Sequence, residues 1–123
     1  MGGEPIEVGD YWRQLREQQL PFFTGASTLW RLSLPQSAPP VRTAGSQLIE
    51  WGGGLRWAAG AIDSLDVRST VERLGGHATR FRGSDSSAGV FHPLQPASLK
   101  IHKRLKLAFD PAGILNPGRM YAF

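Results

Sequence analysis

Strand arginines and histidines are the residues of this sequence best suited to binding chemistry. Arg31 falls in the alternating segment 28–34, opposite the apolar side of the predicted strand. Its guanidinium could bind a carboxylate through two parallel hydrogen bonds, or it could be a solvated or salt-bridged strand arginine. His77 and His92 have the chemistry of a base that removes a hydroxyl proton. However, a lone strand histidine is commonly structural, and His92 precedes Pro93 in a predicted turn.

Two further arginines, Arg80 and Arg82, lie on the predicted strand 77–82. Because side chains alternate along a strand, both are expected on one face, as an anion site, a subunit contact or plain surface residues. The remaining histidine, His102, falls on a basic helix and is expected to be exposed. No metal site is predicted, since the sequence has no cysteine and no closely spaced pair of histidines.

The C-terminal segment 109–123 has the composition of a shaped tail that docks on a folded domain. Pro111 cannot donate a backbone hydrogen bond, so the preceding helix is expected to end at about Asp110. Glycine and proline turns then change the chain direction twice. Asn116 lies before the second turn, where it could form an Asx turn, and Arg119 follows it.

Turn residues and the spacing of apolar residues predict the elements that position these side chains. In chain order they are helix 10–19, strand 28–34, strands 47–51 and 56–61, helix 63–74, strand 77–82 and helix 96–109. The Gly-rich turn at 52–54 joins two strands into a hairpin and lacks the features of a phosphate loop. The order predicts an α+β fold, with a small antiparallel sheet, helices on one face and the other face open to a partner.

Length and composition predict one folded domain that covers residues 1–123. Hydrophobic residues make up 41% of the chain and charged residues 20%, values that are ordinary for a globular protein. No apolar run is long enough to span a bilayer, no N-terminal targeting signal is recognised, and the absence of cysteine favours the cytoplasm. The net charge of +4 is compatible with binding to nucleic acid, an anionic membrane surface, an anionic ligand or an acidic subunit, and it does not distinguish among these partners.

Several motifs together resemble a known family. The tail DPAGILNPGR resembles the C-terminal signature of the FAD-linked oxidases of the vanillyl-alcohol oxidase class, with Arg119 at the basic position. Four further motifs are similar to the FAD-binding E subunit of the bacterial glycolate oxidases: LWRLSLP at 29–35, IEWGG at 49–53, GGHAT at 75–79 and FHPL at 91–94. The resemblance covers residues 4–123, but only the C-terminal part of that subunit.

The resemblance implies a ferredoxin-like cap domain over a flavin, in an enzyme that oxidises a small 2-hydroxy acid such as glycolate. The candidate substrate-binding residues are Arg31, whose role the resemblance favours, and His77. The candidate contacts with FAD or its binding domain are Asn116 and Arg119. The partners that it implies are an N-terminal FAD-binding domain, on which the tail 109–123 docks, and sister flavoprotein and iron–sulfur subunits.

These implications lead to further expectations. The isolated chain should hold no FAD and show no turnover, and no residue is identified as the catalytic base. The expected location is the cytoplasm, with attachment to the inner membrane only through partner subunits. Two alternatives stay open: a non-catalytic domain that docks companion subunits and, ranked last, a basic nucleic-acid-binding domain.

Overall fold

The computed structural model describes residues 9–84 and 89–123. Residues 1–8, where no targeting signal is predicted, and residues 85–88 of a predicted polar loop lie outside the described part. The described chain contains four α-helices, one 3-10 turn at Trp51–Gly53 and four strands: α1 (Tyr11–Arg16), α2 (Pro21–Thr24), β1 (Leu29–Ser33), β2 (Ser46–Glu50), β3 (Leu55–Ala59), α3 (Ser64–Arg73), β4 (His77–Arg82) and α4 (Pro96–Phe109).

The strands form one antiparallel sheet with the order β2-β3-β1-β4. This is the strand order of a ferredoxin-like fold, in which two βαβ units are interleaved. Helix α3 is the second crossover of that fold, whereas the irregular segment 34–45 takes the place of the first. The predicted α+β class with a small antiparallel sheet is therefore confirmed.

Helix α3 covers one face of the sheet. It begins where the Asp63 carboxylate accepts hydrogen bonds from the backbone N–H groups of Leu65 and Asp66, at 2.8 and 3.0 Å. It ends just before Gly75, whose φ of 75° suits a residue without a side chain. Burial of its apolar side against the sheet forms the main core cluster: Trp30, Leu32, Leu34, Val41, Ala58, Val67, Val71 and Ala78.

The opposite face carries a smaller core cluster made of Phe23, Leu29, Leu55 and Trp57. Phe23 belongs to α2, and its ring meets the Trp57 ring edge-on with the centroids 5.4 Å apart. The N-terminal helices thus cover part of the face that was expected to be open. The rest of that face, towards Ser33 and His77, remains available.

Several element boundaries differ from their prediction, and those at the N-terminal helices and at the β2–β3 turn have clear physical reasons. Helix α1 ends at Arg16 instead of position 19, because Gln18 adopts a left-handed φ of 55° that a helix cannot continue through. Pro21 opens α2 instead of ending α1, since its fixed φ suits the first helical position. Trp51 lies in the turn of the predicted hairpin and not on a strand, and it is 71% exposed.

A buried arginine holds the segment 34–45 in place of a crossover helix. The Arg56 guanidinium donates to the carbonyl oxygens of Ala38 and Pro39, both at 2.7 Å, and its Nε donates to that of Gly53 at 3.0 Å. Val41 then packs into the main core cluster. Three carbonyl groups that no helix satisfies are therefore satisfied by one side chain.

A β-bulge separates the two arginines of β4. Leu29 pairs with Arg82, whereas the next residue, Trp30, pairs with Arg80, so one residue of β1 is opposed by two on β4. Arg80 is only 6% exposed, and Arg82 donates to the carbonyl oxygen of Phe23 at 2.6 Å on the opposite face. The prediction that both arginines share one face was wrong, and Arg80 is not a surface residue.

The C-terminal segment folds back on α4 to form a unit that we call the C-terminal arm, residues 96–123. The Asp110 carboxylate accepts the backbone N–H groups of Ile114 at 3.0 Å and Leu115 at 2.9 Å. Lys106 pairs with the same carboxylate and donates to the carbonyl oxygen of Leu115 at 2.6 Å. The helix ends at Phe109, as the Asp-Pro pair predicts, and the first tail turn is closed by this Asp110 clamp.

Candidate functional site

Arg31 and His77 lie on the same face of the sheet, opposite α3. Arg31 pairs with Trp57 of β3 and with Thr79 of β4, while Ser33, two residues further along β1, pairs with His77. Directly paired residues share a face, so Arg31 and His77 are diagonal neighbours, about 7–8 Å apart. The structure brings together the two side chains that were predicted to bind substrate.

The Arg31 guanidinium is available for a ligand. Arg31 is half-buried, and its side chain makes no hydrogen bond and no ion pair within residues 9–84 and 89–123. In contrast, Arg56 and Arg82 use their guanidinium groups to bind main-chain carbonyl oxygens. A cation that is partly removed from water and has no partner favours the arrival of an anion.

His77 and His92 line one groove of about 650 Å³ beside β4, at the edge of the sheet. The Nδ1 atom of His92 accepts a long hydrogen bond, 3.4 Å, from the backbone N–H of Ala78, and the N–H of Arg80 donates to the carbonyl oxygen of Val90 at 2.9 Å. His92 therefore helps to fasten the following segment along β4, whereas His77 is exposed. Of the two, His77 is the one free to meet a ligand.

His92 predicts a pH dependence of stability. Burial lowers its pKa, and the charges of Arg68 and His77 lower it further, while Glu72 opposes them. The unfolded chain then binds more protons than the folded one, so stability should fall as the pH drops through about 6.5, the value of an unperturbed histidine. Urea unfolding between pH 7.5 and 5 should show this loss, and His92→Asn should reduce it. NMR titration of His92 at or above its ordinary pKa would contradict the prediction.

Asn116 and Arg119, the two candidate cofactor residues, line a second groove of about 570 Å³ on the C-terminal arm. The backbone N–H of Arg119 donates to the carbonyl oxygen of Asn116 at 3.3 Å, and Asn116 has a left-handed φ of 44°, which is typical of asparagine in a turn. The turn and the ligand role are compatible, because the turn uses the backbone of Asn116. Met120 and Tyr121 line this groove and also the groove of His77.

The position of His102 on a basic helix predicted an exposed side chain. His102 is instead half-buried. Its ring stacks on the Tyr121 ring with the centroids 6.1 Å apart, and Tyr121 stacks in turn on Phe123 at 5.9 Å. The Tyr121 hydroxyl lies 3.4 Å from the carbonyl oxygen of His92. This stack, which the sequence could not indicate, attaches the end of the arm to α4 and to the segment beside β4.

The Asp110 clamp is a second feature that the sequence analysis did not predict: it placed the end of the helix at Asp110 but not the contacts of the Asp110 carboxylate. Its signal was present in the spacing of Lys106 and Asp110, four residues apart on the last helical turn.

Within residues 9–84 and 89–123, no three carboxylate or imidazole side chains are grouped as a metal site would need. No helix in the described part of the chain combines the length and apolar character needed to cross a membrane.

Comparison with known proteins relates this geometry to a family. Residues 82–120 match the family of FAD linked oxidases, C-terminal domain. The chain is also 48% identical, over 122 residues, to the glycolate oxidase subunit GlcE of Escherichia coli (strain K12). The match covers 99% of this chain and 34% of that subunit, so the chain spans about a third of the length of this relative. No solved structure matches the chain. The resemblance to the FAD-linked oxidases is confirmed.

The FAD-linked oxidase family implies FAD in the complete protein. The donor set on the arm fits one side of such a site, because an amide suits the flavin edge and a guanidinium suits phosphate. The groove of Asn116 and Arg119 has walls from α4 and the tail only, so the remaining walls would come from elsewhere. When bound, FAD would supply the hydride acceptor.

Proposed function

We propose that this chain is the C-terminal cap domain of an FAD-dependent 2-hydroxy-acid oxidoreductase whose substrate is glycolate or a similarly small acid. The relationship to subunit GlcE supports the reaction class. The observation that carries the substrate site is Arg31, a half-buried cation without a partner among the described residues, diagonal to the exposed His77. The two oxygens of a carboxylate match the fork of a guanidinium.

In the proposed reaction, the substrate hydroxyl loses a proton and the α-carbon passes a hydride to the flavin, which gives the 2-oxo acid. Arg31 holds the substrate carboxylate and thereby orients the α-carbon. His77 lies on the same face and contacts the polar end of the substrate. The residue that accepts the hydroxyl proton is not assigned within this chain.

The C-terminal arm is proposed to dock on the FAD-binding domain, with Asn116 and Arg119 towards the cofactor. No residue of α4 is buried, and the arm exposes seven large apolar side chains: Ile101, Leu105, Leu107, Phe109, Ile114, Leu115 and Met120. So many exposed large apolar side chains on one helix and its tail favour a surface that a partner covers. Sister flavoprotein and iron–sulfur subunits would receive the electrons in the cytoplasm, at the inner membrane.

The test is flavin reduction by glycolate in the complete protein assembled with its sister subunits. Arg31→Ala should lower kcat/KM by about 10- to 100-fold, the effect of losing hydrogen bonds to a charged group. Arg31→Lys should restore only part of it, because an ammonium group cannot form the fork. FAD content is measured in each preparation.

Arg42→Ala is the matched control, since Arg42 is exposed in the segment 34–45 and loses the same charge. It should leave kcat/KM unchanged. Equal rates in the Arg31→Ala variant and the wild type, with FAD bound, would contradict the substrate role.

The exposed arm also supports a second candidate, a docking domain that assembles the oxidase without touching the substrate. The same experiment separates the two. A docking domain predicts that Arg31→Ala leaves flavin reduction intact, and that substitutions of exposed apolar residues on the arm reduce assembly instead.

A further inference from the structure

Tyr121 lies where two grooves of the protein meet. The first, which we call the histidine groove, is lined by His77 and His92 beside β4. The second, which we call the arm groove, is lined by Asn116 and Arg119. Tyr121 is half-buried and lines both. In the proposed function these grooves face the substrate and the flavin, so Tyr121 lies between the two partners of the hydride transfer.

The side chain of Tyr121 fastens the tail to the body of the domain. Its hydroxyl donates a long hydrogen bond, 3.4 Å, to the carbonyl oxygen of His92, and its ring lies beside the Phe91 ring with the centroids 6.1 Å apart. In the described part of the chain, no other hydrogen bond joins the tail after α4 to a residue before that helix. Since the segment 90–92 is itself hydrogen-bonded to β4, Tyr121 connects the tail to the strand that carries His77.

The same ring is part of the wall of the arm groove. It stacks on His102 of α4 and on Phe123, with centroids 6.1 and 5.9 Å away. All three rings line the arm groove. The Tyr121 ring therefore touches the structures on both sides, and its position fixes how far the arm groove lies from the histidine groove.

We propose that Tyr121 is a positioning residue, which sets the distance between the flavin side and the substrate side of the site. The inference rests on the proposed function, since it takes the two grooves as parts of one oxidase site. The hydrogen bonds of the Asp110 clamp do not involve Tyr121, so the first turn of the tail stays formed without it. Hydride transfer is sensitive to placement, because a displacement of about 1 Å can cost about 100-fold in rate.

The test is flavin reduction by glycolate in the complete protein assembled with its sister subunits. Tyr121→Leu should lower kcat per bound flavin by about tenfold or more and leave KM unchanged, because the proposed substrate contacts lie elsewhere. Tyr121→Phe, which removes only the long hydrogen bond, should lower kcat by less. FAD content, measured independently of turnover, should match that of the wild type, since the Asp110 clamp is kept.

Tyr11→Leu is the matched control. Tyr11 is the other tyrosine of the chain, lies on α1 and also meets a neighbouring ring, that of Trp12. Its replacement should leave kcat, KM and FAD content unchanged. An unchanged kcat in Tyr121→Leu would overturn the proposal. Loss of FAD with an intact kcat per bound flavin, or a rise in KM alone, would also overturn it, because the ring would then only attach the tail or contact the substrate.

Arg31→Ala, assayed in the same series, separates this inference from the proposed function. Slow reduction in Arg31→Ala with normal reduction in Tyr121→Leu would refute the positioning role alone. Slow reduction in Tyr121→Leu with normal reduction in Arg31→Ala would refute the substrate role of Arg31 and support the positioning role.

Discussion

Replacement of Trp30 by alanine is expected to lower the free energy of unfolding by about 3–5 kcal/mol. Trp30 is the largest fully buried side chain, 1% exposed, and belongs to the cluster between the sheet and α3. The Arg68 guanidinium lies 5.3 Å from the centre of its ring. A small domain has about 5–15 kcal/mol in total, so the variant should be close to unfolding. Urea denaturation followed by circular dichroism measures the loss.

Trp51→Asn is the control for this prediction, because Trp51 is exposed in the turn and its removal leaves no cavity. It should change the free energy of unfolding by less than about 0.5 kcal/mol. Trp30→Phe should cost less than Trp30→Ala, since the indole N–H that it removes has no partner within the described residues. Similar stabilities of the Trp30→Ala and Trp51→Asn proteins would show that this cluster does not hold the sheet.

Replacement of Asp110 by alanine is expected to release the tail from α4. The variant loses the acceptor of the Ile114 and Leu115 amides and the partner of Lys106 in one step. Amide exchange at residues 113–121 should rise to the rate of an unstructured segment. In the complete protein, the arm would then dock poorly, and FAD should be lost more readily on gel filtration.

The Asp110 clamp also predicts how the tail responds to acid. The hydrogen bond from Lys106 and the two backbone amides lower the pKa of Asp110. The clamp is fully formed above about pH 3.9, the ordinary pKa of an aspartate. It is lost only as the pH falls through the lowered pKa of Asp110. At pH 4 the tail amides of the wild type should therefore remain protected.

Asp66→Asn is a suitable control for both measurements, since Asp66 is an exposed acid in the first turn of α3. It should leave tail exchange unchanged. Asp110→Asn keeps an oxygen acceptor but loses the charge, so it should give an intermediate result. Tail amides that stay protected in Asp110→Ala would show that the stack of His102 and Tyr121 holds the arm alone.

Local signals explain which elements could be predicted. Strand β4 occupies the predicted positions 77–82, and α3 matches the predicted 63–74 to within one residue at each end. Both are bounded by residues that act on their immediate neighbours: the cap Asp63 and the glycine at position 75. Neither boundary depends on a distant part of the chain.

Non-local contacts explain the failures. The alternation of side chains along a strand predicts the face of Arg82 correctly only if β4 is regular. The β-bulge that moves Arg82 to the other face forms only when β4 pairs with β1, so the sequence of β4 alone does not reveal it. The burial of Arg80 and the stacking of His102 on Tyr121 likewise arise from tertiary contacts. For the candidate site, alternation placed Arg31 and His77 on their own strands, but only the register of β1 and β4 makes them neighbours.

The hydrogen bonds of Arg56 have a consequence for how freely the chain can vary. Arg56 recognises only main-chain oxygens of the segment that replaces the crossover helix, so the side chains of Ala38 and Pro39 do not enter into the contact. Substitutions of the exposed residues there that keep the backbone path should be accepted, while position 56 admits nothing shorter or less forked than arginine. A single buried cation thus fixes the path of this segment through its backbone, and a library that randomises the exposed positions 37, 39 and 40 should retain folded members only when Arg56 is left intact.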